Sequence, residues 1–123
     1  MILGFKPQFK EPILSGTKIH TIRADEKNRW RIGRIIHFAT GVRTKNYEQF
    51  HEDACKYIQD IEISVVEKGS VAIRMVYVDG RCLRGDEIYG LARNDGFKSA
   101  NSFFEWFKDG FTGKIIHWTD FKY

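Results

Sequence analysis

Cysteine and proline are both scarce in this chain, and long apolar runs are missing. Its 123 residues include two cysteines and two prolines. Cys55 and Cys82 stand in no Cys-x-x-Cys pair, so we interpret both as small core hydrophobes rather than as a disulfide framework. No run of about 18 apolar residues occurs, so we expect no membrane-spanning helix. Lys6 and Pro7 interrupt the first apolar residues too early for a secretory signal, and the expected location is the cytoplasm.

Motifs that would hold a cofactor or a metal are missing as well. The chain contains no Gly-rich phosphate loop and no dinucleotide fingerprint. His51 and Cys55 are four residues apart, but two side chains do not supply the ligands of a zinc site. We therefore expect no metal and no cofactor, and nothing in the sequence indicates an obligate protein partner.

Positive charge is concentrated in the first third of the chain. The whole chain has 20 Lys and Arg, 16 Asp and Glu, and a formal net charge of +4. Residues 1–45 hold ten basic side chains against three acidic ones, whereas the remainder is net negative. A basic segment of this density suggests a phosphate-bearing partner such as RNA. A merely soluble positive surface is the alternative, and composition does not separate the two.

Hydrophobic spacing predicts several short strands and three helices. The expected strands are Ile2–Phe5, a strand starting at His20, Ile35–Ala39, a strand ending near Val66, Val71–Val78 and Lys114–Trp118. The expected helices cover the region from Phe9 to Leu14, Asp86–Arg93 and Ala100–Asp109. The stretch 46–58 fits both periodicities, and we predict irregular or helical structure up to about Asp53.

This order of elements predicts a single α+β domain over residues 1–123. A strongly curved sheet or a small β-barrel with flanking helices is the favoured arrangement. Nine of the 18 aromatic residues lie between Phe97 and Tyr123, and we interpret them as packing that holds the two late helices on the sheet. His20 and His117 fall in apolar strands and are interpreted as core or rim histidines with satisfied hydrogen bonds.

One short stretch concentrates side chains suited to chemistry. Residues 16–23 read Gly-Thr-Lys-Ile-His-Thr-Ile-Arg. Thr21 and Arg23 would share one face of a strand, and a bend near Gly16 is needed if Lys18 is to meet Thr21. A threonine hydroxyl becomes nucleophilic when a base removes its proton, and a neutral lysine amine can act as that base. A solvated turn followed by an edge strand is the alternative interpretation.

The stretch resembles the G-x-K-x-x-T-x-R motif of ASCH domains, which belong to the PUA-like group. Trp30 and Gly33 stand where that family has an aromatic residue and a glycine that open the next strand. Residues 92–97, Ala-Arg-Asn-Asp-Gly-Phe, are similar to the family's late segment with an acid before Gly-Phe. Residues 42–70 show no such likeness. The resemblance implies a small PUA-like β-barrel with flanking helices and a basic cleft.

The resemblance also implies a site. ASCH domains are thought to handle RNA or nucleotide-like ligands, and one branch hydrolyses 4-acetylcytidine to cytidine and acetate. That branch uses a lysine, a threonine and a glutamate, and the matching positions here are Lys18, Thr21 and Asp95. The aspartate is one methylene shorter than the glutamate. Burial and the nearby Arg23 would lower the pKa of Lys18, whereas Asp95 would raise it.

Two functions remain open from the sequence. The first is hydrolysis of an acyl-amide on a modified pyrimidine nucleoside, with Gly16 backbone and Arg23 as donors to the oxyanion. The second is a non-catalytic RNA-binding module built on the basic N-terminal third. In that module Arg23, Arg29 and Arg31 would meet phosphates, and Trp30 would stack on a base or fill the core.

Overall fold

The fold is α+β, as the order of elements predicts. The computed structural model describes all residues from 1 to 123 and contains eight β-strands and three α-helices. The strands are β1 Ile2–Phe5, β2 His20–Arg23, β3 Ile35–Thr40, β4 Glu48–Ala54, β5 Tyr57–Lys68, β6 Val71–Val78, β7 Arg81–Cys82 and β8 Phe111–His117. The helices are α1 Lys10–Ser15, preceded by a 3₁₀ turn at Pro7–Phe9, α2 Gly85–Asn94 and α3 Ala100–Trp106. None of these helices has the length and apolar character needed to cross a bilayer.

The strands form two sheets, so the small β-barrel, one of the two predicted arrangements, is wrong. One sheet has the order β1-β3-β4, and the other has the order β2-β8-β5-β6-β7. Only β1 and β3 pair in parallel, and every other neighbouring pair is antiparallel. A barrel requires a hydrogen-bonded ladder that returns to its first strand. No ladder joins the two sheets here, so each sheet keeps its own edges.

The segment before Ala54 is a strand, and the prediction of irregular or helical structure up to Asp53 is wrong. Strand β4 pairs antiparallel with β3, with one irregularity in register between Phe38 and Ala39. Its side chains are exposed or half-buried throughout, so neither face shows a clean alternation of polar and apolar residues. Pairing with the buried strand β3 decides the conformation, and the local sequence pattern does not contain that information.

The apolar core fills the space between the sheets and the late helices. A single cluster of 23 buried hydrophobic residues joins both sheets to α2 and α3. Trp30 and Cys55 belong to this cluster, whereas Cys82 is exposed, so the interpretation of Cys82 as a core residue is wrong. His20 and His117 are both fully buried, as expected.

The chain turn at Gly16 brings the Gly16–Arg23 stretch against the end of α2. Helix α1 ends at Gly16, whose φ of 84° places it in the left-handed region that glycine adopts easily. The chain then runs beside the last residues of α2, where the Ile19 amide donates a hydrogen bond of 2.8 Å to the Asn94 carbonyl. This main-chain contact sets Lys18 directly beside Asp95.

Candidate active site

A cavity of about 360 Å³ opens where the two sheets meet. Strand β1 supplies one wall and strand β2 another, while residues from the end of α2 and from α3 complete the lining. Lys18, Thr21, Arg23 and Asp95 all line this cavity. The structure therefore brings together the three positions that the motif resemblance predicts as catalytic, together with the adjacent arginine.

Lys18 and Asp95 form a buried pair at the inner end of the cavity. Lys18 Nζ donates to the Asp95 backbone carbonyl at 2.5 Å and to Asp95 Oδ1 at 3.2 Å. Both side chains are almost completely shielded from solvent. The Lys18 nitrogen also lies 4.8 Å from the centre of the Phe9 ring. Apolar and aromatic surroundings of this kind penalise a charged group that has no strong partner.

Burial lowers the pKa of Lys18 from its usual value. Desolvation is the largest cause, the carboxylate of Asp95 opposes it, and the charge of Arg23 adds a smaller downward effect. A neutral amine has two hydrogens and one lone pair, and Lys18 Nζ has two protein acceptors. A neutral Lys18 would satisfy both acceptors with its two hydrogens and keep its lone pair free to take a proton.

Thr21 and Arg23 lie on one face of β2, as strand geometry predicts. Arg23 Nε donates to Thr21 Oγ1 at 3.2 Å, and another guanidinium nitrogen donates to the Gly4 carbonyl at 2.7 Å. The guanidinium carbon lies 4.8 Å from the centre of the Phe5 ring. No hydrogen bond joins Lys18 Nζ to Thr21 Oγ1.

A second buried chain of hydrogen bonds holds Asp95 from behind. His20 Nδ1 donates to Asp95 Oδ1 at 3.1 Å, because a carboxylate can only accept. His20 Nε2 is then the acceptor for the Tyr123 hydroxyl at 2.7 Å, and that hydroxyl oxygen accepts from Asn94 Nδ2 at 3.1 Å. Asp95 Oδ2 has no protein hydrogen-bond partner and remains available to a ligand in the cavity.

Burial also changes the titration of the groups behind Asp95. Desolvation lowers the pKa of His20 and raises the pKa of Tyr123, so both favour their neutral forms. His117 is the next ring, and its Nε2 donates to Gln59 Oε1 at 3.0 Å. Its Nδ1 is buried without a hydrogen-bond partner, so the expectation that the hydrogen bonds of His117 are satisfied is wrong for this nitrogen. Desolvation lowers the pKa of His117 to about 3.

The other predicted binding residues lie outside the cavity. Gly16 lines a separate groove near the end of α1, and Arg29 and Arg31 are exposed on the loop between β2 and β3. Trp30 is 7% exposed and packs in the core, so its ring is not free to stack on a ligand. The structure therefore does not join these four residues to the Lys18 site. No group of three His, Cys, Asp or Glu side chains comes together in a way that could hold a metal ion.

Several residues of the site were not found from the sequence. Phe5 and Phe9 line the cavity beside Lys18, and Trp106 and Lys6 lie at its open end. Tyr123 reaches the site from the last position of the chain. Lys6, Trp106 and Tyr123 lie on other elements than residues 16–23, so the motif gave no signal for them.

Comparison with protein-family models, with curated proteins and with solved structures gave no match for this chain. The site must therefore be interpreted from its own geometry and from the motif resemblance described above.

Proposed function

We propose that the chain is an ASCH-type, PUA-like domain that binds an acylated pyrimidine nucleoside and hydrolyses its exocyclic amide. The substrate that the resemblance suggests is 4-acetylcytidine. The observation that carries the proposal is the buried Lys18–Asp95 pair in the same cavity as Thr21, because these three residues converge from positions up to 77 apart in the sequence.

The first step of the proposed reaction uses Thr21 as nucleophile and Lys18 as base. The Lys18 lone pair takes the proton of Thr21 Oγ1, directly or through one water, while the oxygen forms a bond to the acyl carbon. The bond between that carbon and the exocyclic nitrogen then breaks. The proton passes from Lys18 to the leaving nitrogen, so cytidine departs and an acyl ester remains on Thr21.

A water molecule completes the proposed cycle. Lys18, again neutral, accepts a proton from this water while the water oxygen forms a bond to the ester carbon. The bond from that carbon to Thr21 Oγ1 then breaks, Lys18 returns the proton to Oγ1, and the released acetic acid ionises to acetate in solvent. Negative charge develops on the acyl oxygen in both steps, and the Arg23 guanidinium is the positive group adjacent to Thr21. The free Oδ2 of Asp95 would accept a hydrogen bond from the exocyclic N–H and orient the amide.

The size and lining of the cavity support a small ligand. Its volume of about 360 Å³ lies at the lower end of ordinary small-molecule pockets. Aromatic rings of Phe5 and Phe9 next to polar groups suit a flat heterocycle with a few hydrogen-bonding positions. A nucleic acid duplex does not fit such a space.

The test is incubation of the purified protein with 4-acetylcytidine while cytidine is followed by chromatography. We expect turnover by the wild type and a loss of at least about a hundredfold in Thr21→Val, which removes the hydroxyl and keeps the side-chain shape. Thr17→Val is the matched control, because Thr17 is exposed at the end of α1 and lies outside the cavity. No cytidine from the wild type at high enzyme concentration ends the enzymatic proposal.

An RNA-binding module is the second candidate function. Arg29, Arg31 and Arg34 are exposed on one loop, and none of them forms an ion pair with a carboxylate. Uncompensated arginines on a loop can contact phosphates of single-stranded RNA. If this is the function, RNA affinity falls steeply with salt and is weakened by Arg31→Gln, while Thr21→Val has no effect.

A further inference from the structure

Two residues at the open end of the cavity have no role in the proposed reaction. Trp106 is 45% exposed although it lines the cavity, and its ring lies 5.6 Å from those of both Phe9 and Phe97. The Lys6 ammonium lies over Trp106, 5.4 Å from the centre of the ring. The two aromatic contacts fix the tryptophan, and the cation–π contact keeps the Lys6 ammonium at the mouth.

The charges that line the cavity do not balance. Besides the Lys18–Asp95 pair, the lining holds two further basic side chains, Lys6 and Arg23, and no further acidic one. Asp95 is already engaged by Lys18 and His20. Arg23 donates only to neutral oxygens, and Lys6 forms no ion pair with any carboxylate. The positive charge at the mouth therefore has no carboxylate partner within the protein.

We propose that the ligand is a nucleoside 5′-monophosphate rather than a free nucleoside, with its phosphate bound by Lys6 at the cavity mouth. Arg23 adds to the same positive potential from deeper in the cavity. Trp106 positions Lys6. The choice of base rests on the proposed function, whereas the phosphate is inferred from Lys6 and Arg23, which have no carboxylate partner. A free mononucleotide is favoured over a nucleotide within RNA because the cavity volume of about 360 Å³ suits a single unit.

The test measures binding and turnover separately. Titration calorimetry at low salt gives the Kd of the wild-type protein for cytidine and for cytidine 5′-monophosphate. We expect the monophosphate to bind about tenfold more tightly, as a charge-assisted contact to phosphate provides. Lys6→Gln should remove most of this preference and leave the Kd for cytidine within about twofold. Lys68→Gln, at the tip of the β5–β6 hairpin, is the matched control and should change neither value.

Each other result overturns a defined part of the inference. Equal affinity for cytidine and its monophosphate, or no measurable binding of either, removes the phosphate site, as does a preference that survives in Lys6→Gln. Tighter binding of a single-stranded cytidine oligonucleotide than of the monophosphate assigns the phosphate to RNA and overturns the mononucleotide. Turnover of 4-acetylcytidine is assayed in parallel. A phosphate preference without any turnover would contradict the proposed function and leave this inference standing.

Discussion

Lys18 is the residue whose environment departs most from what its chemistry prefers. Its amine is buried among aromatic rings and bonded to Asp95, which is itself shielded from water. Such a pair is costly to bury, and it becomes more costly when one member is removed, because the other is then left without a partner. Substitution of Lys18 is therefore expected to lower the stability of the fold as well as to change the cavity.

Exchange of Lys18 for methionine should lower the free energy of unfolding by about 3–5 kcal/mol. The reason is that Asp95 keeps only His20 as a partner for its buried carboxylate. Urea denaturation followed by circular dichroism measures the change. The double variant Lys18→Met with Asp95→Asn should be less destabilised than the sum of the single variants. Strict additivity would mean that the two side chains do not interact.

The Tyr123 hydroxyl makes a hydrogen bond that can be removed while the shape of the ring is kept. Tyr123→Phe leaves His20 Nε2 buried without its hydroxyl donor, so we expect a loss of about 1–3 kcal/mol in urea denaturation. Tyr89→Phe is the control, since Tyr89 is 53% exposed on α2 and makes no hydrogen bond with its hydroxyl. If both variants have the same stability as the wild type, the hydroxyl of Tyr123 does not hold His20.

The sequence predicted part of the site for a physical reason. Lys18, Thr21 and Arg23 are close in the chain, and strand geometry alone puts Thr21 and Arg23 on one face. The placement of Asp95 depended on a motif resemblance. Tyr123 could not be predicted, because its hydroxyl meets His20 across 103 positions of sequence. A tryptophan in a polar segment can either pack in the core or stack on a ligand, and the sequence does not decide between them. Trp30 packs in the core.

Among the elements, the turn that follows α2 is the one that fixes the site. Gly96 has a φ of 93°, and a Cβ added there would lie 3.0 Å from Lys18 Cδ and 3.1 Å from a ring carbon of Phe9. The left-handed turn thus lets the chain pass directly over the lysine side chain. Asp95 is presented to Lys18 by this turn and by the end of the helix, rather than by the length of its own side chain.

Gly96→Ala should therefore destabilise the protein and disturb the site. The left-handed conformation alone costs about 1–2 kcal/mol for a residue with a Cβ, and the contact with Lys18 adds to this cost. Gly90→Ala is a matched control in the interior of α2, where an added Cβ meets nothing within 4 Å. That variant should gain about 0.5–1 kcal/mol. Thermal denaturation of both variants tests whether Gly96→Ala lowers the stability and Gly90→Ala raises it. A Gly96→Ala variant as stable as the wild type would contradict the prediction.

Strand β4 marks the limit of prediction at the level of elements. Its apolar residues fit a helical stripe as well as a strand, and the structure resolves the ambiguity by pairing it with β3. By contrast, β6 is found at Val71–Val78, where alternation and the Asp79–Gly80 turn predict it. Local signals are sufficient where a turn fixes both strands of a hairpin, and they fail where a strand depends on a distant partner.

At the scale of the whole molecule, the buried histidines should make stability depend on pH. Burial lowers the pKa of His20, and it lowers that of His117 to about 3, so the unfolded chain binds more protons than the folded one below about pH 6.5. Stability should therefore fall as pH drops from 6.5 towards 3, by at most about 1.4 kcal/mol per pH unit for each histidine.

Urea denaturation between pH 8 and pH 5 measures this dependence above the range in which ordinary carboxylates titrate. His117→Leu should show a shallower decline, although it begins from a lower stability. His51→Gln is the control, because His51 is on the surface strand β4 and its loss should leave the slope unchanged. Constant stability over this range would show that the buried histidines do not become protonated on unfolding.

The α+β class of the fold could be predicted from the sequence, whereas the absence of a closed barrel could not. Composition and the order of elements indicate one α+β unit, and each of the six expected strands forms near its predicted place, whereas β4 and the two-residue β7 are additional. Whether strands close into a barrel depends on pairing between edges that are distant in sequence, and hydrophobic periodicity does not record it. In this chain β1 pairs with β3 and β2 pairs with β8, which leaves two separate sheets.

The seam between those sheets has a practical consequence for identifying the natural ligand. Gly4 and Phe5 belong to one sheet and Thr21 and Arg23 to the other, so a ligand in the cavity would contact both sheets at once. Thermal unfolding must separate the two sheets, so a compound present at a hundred times its Kd should raise the free energy of unfolding by about 2.7 kcal/mol. A panel of nucleosides and nucleotides could thus be ranked by melting temperature alone, before any reaction has been detected.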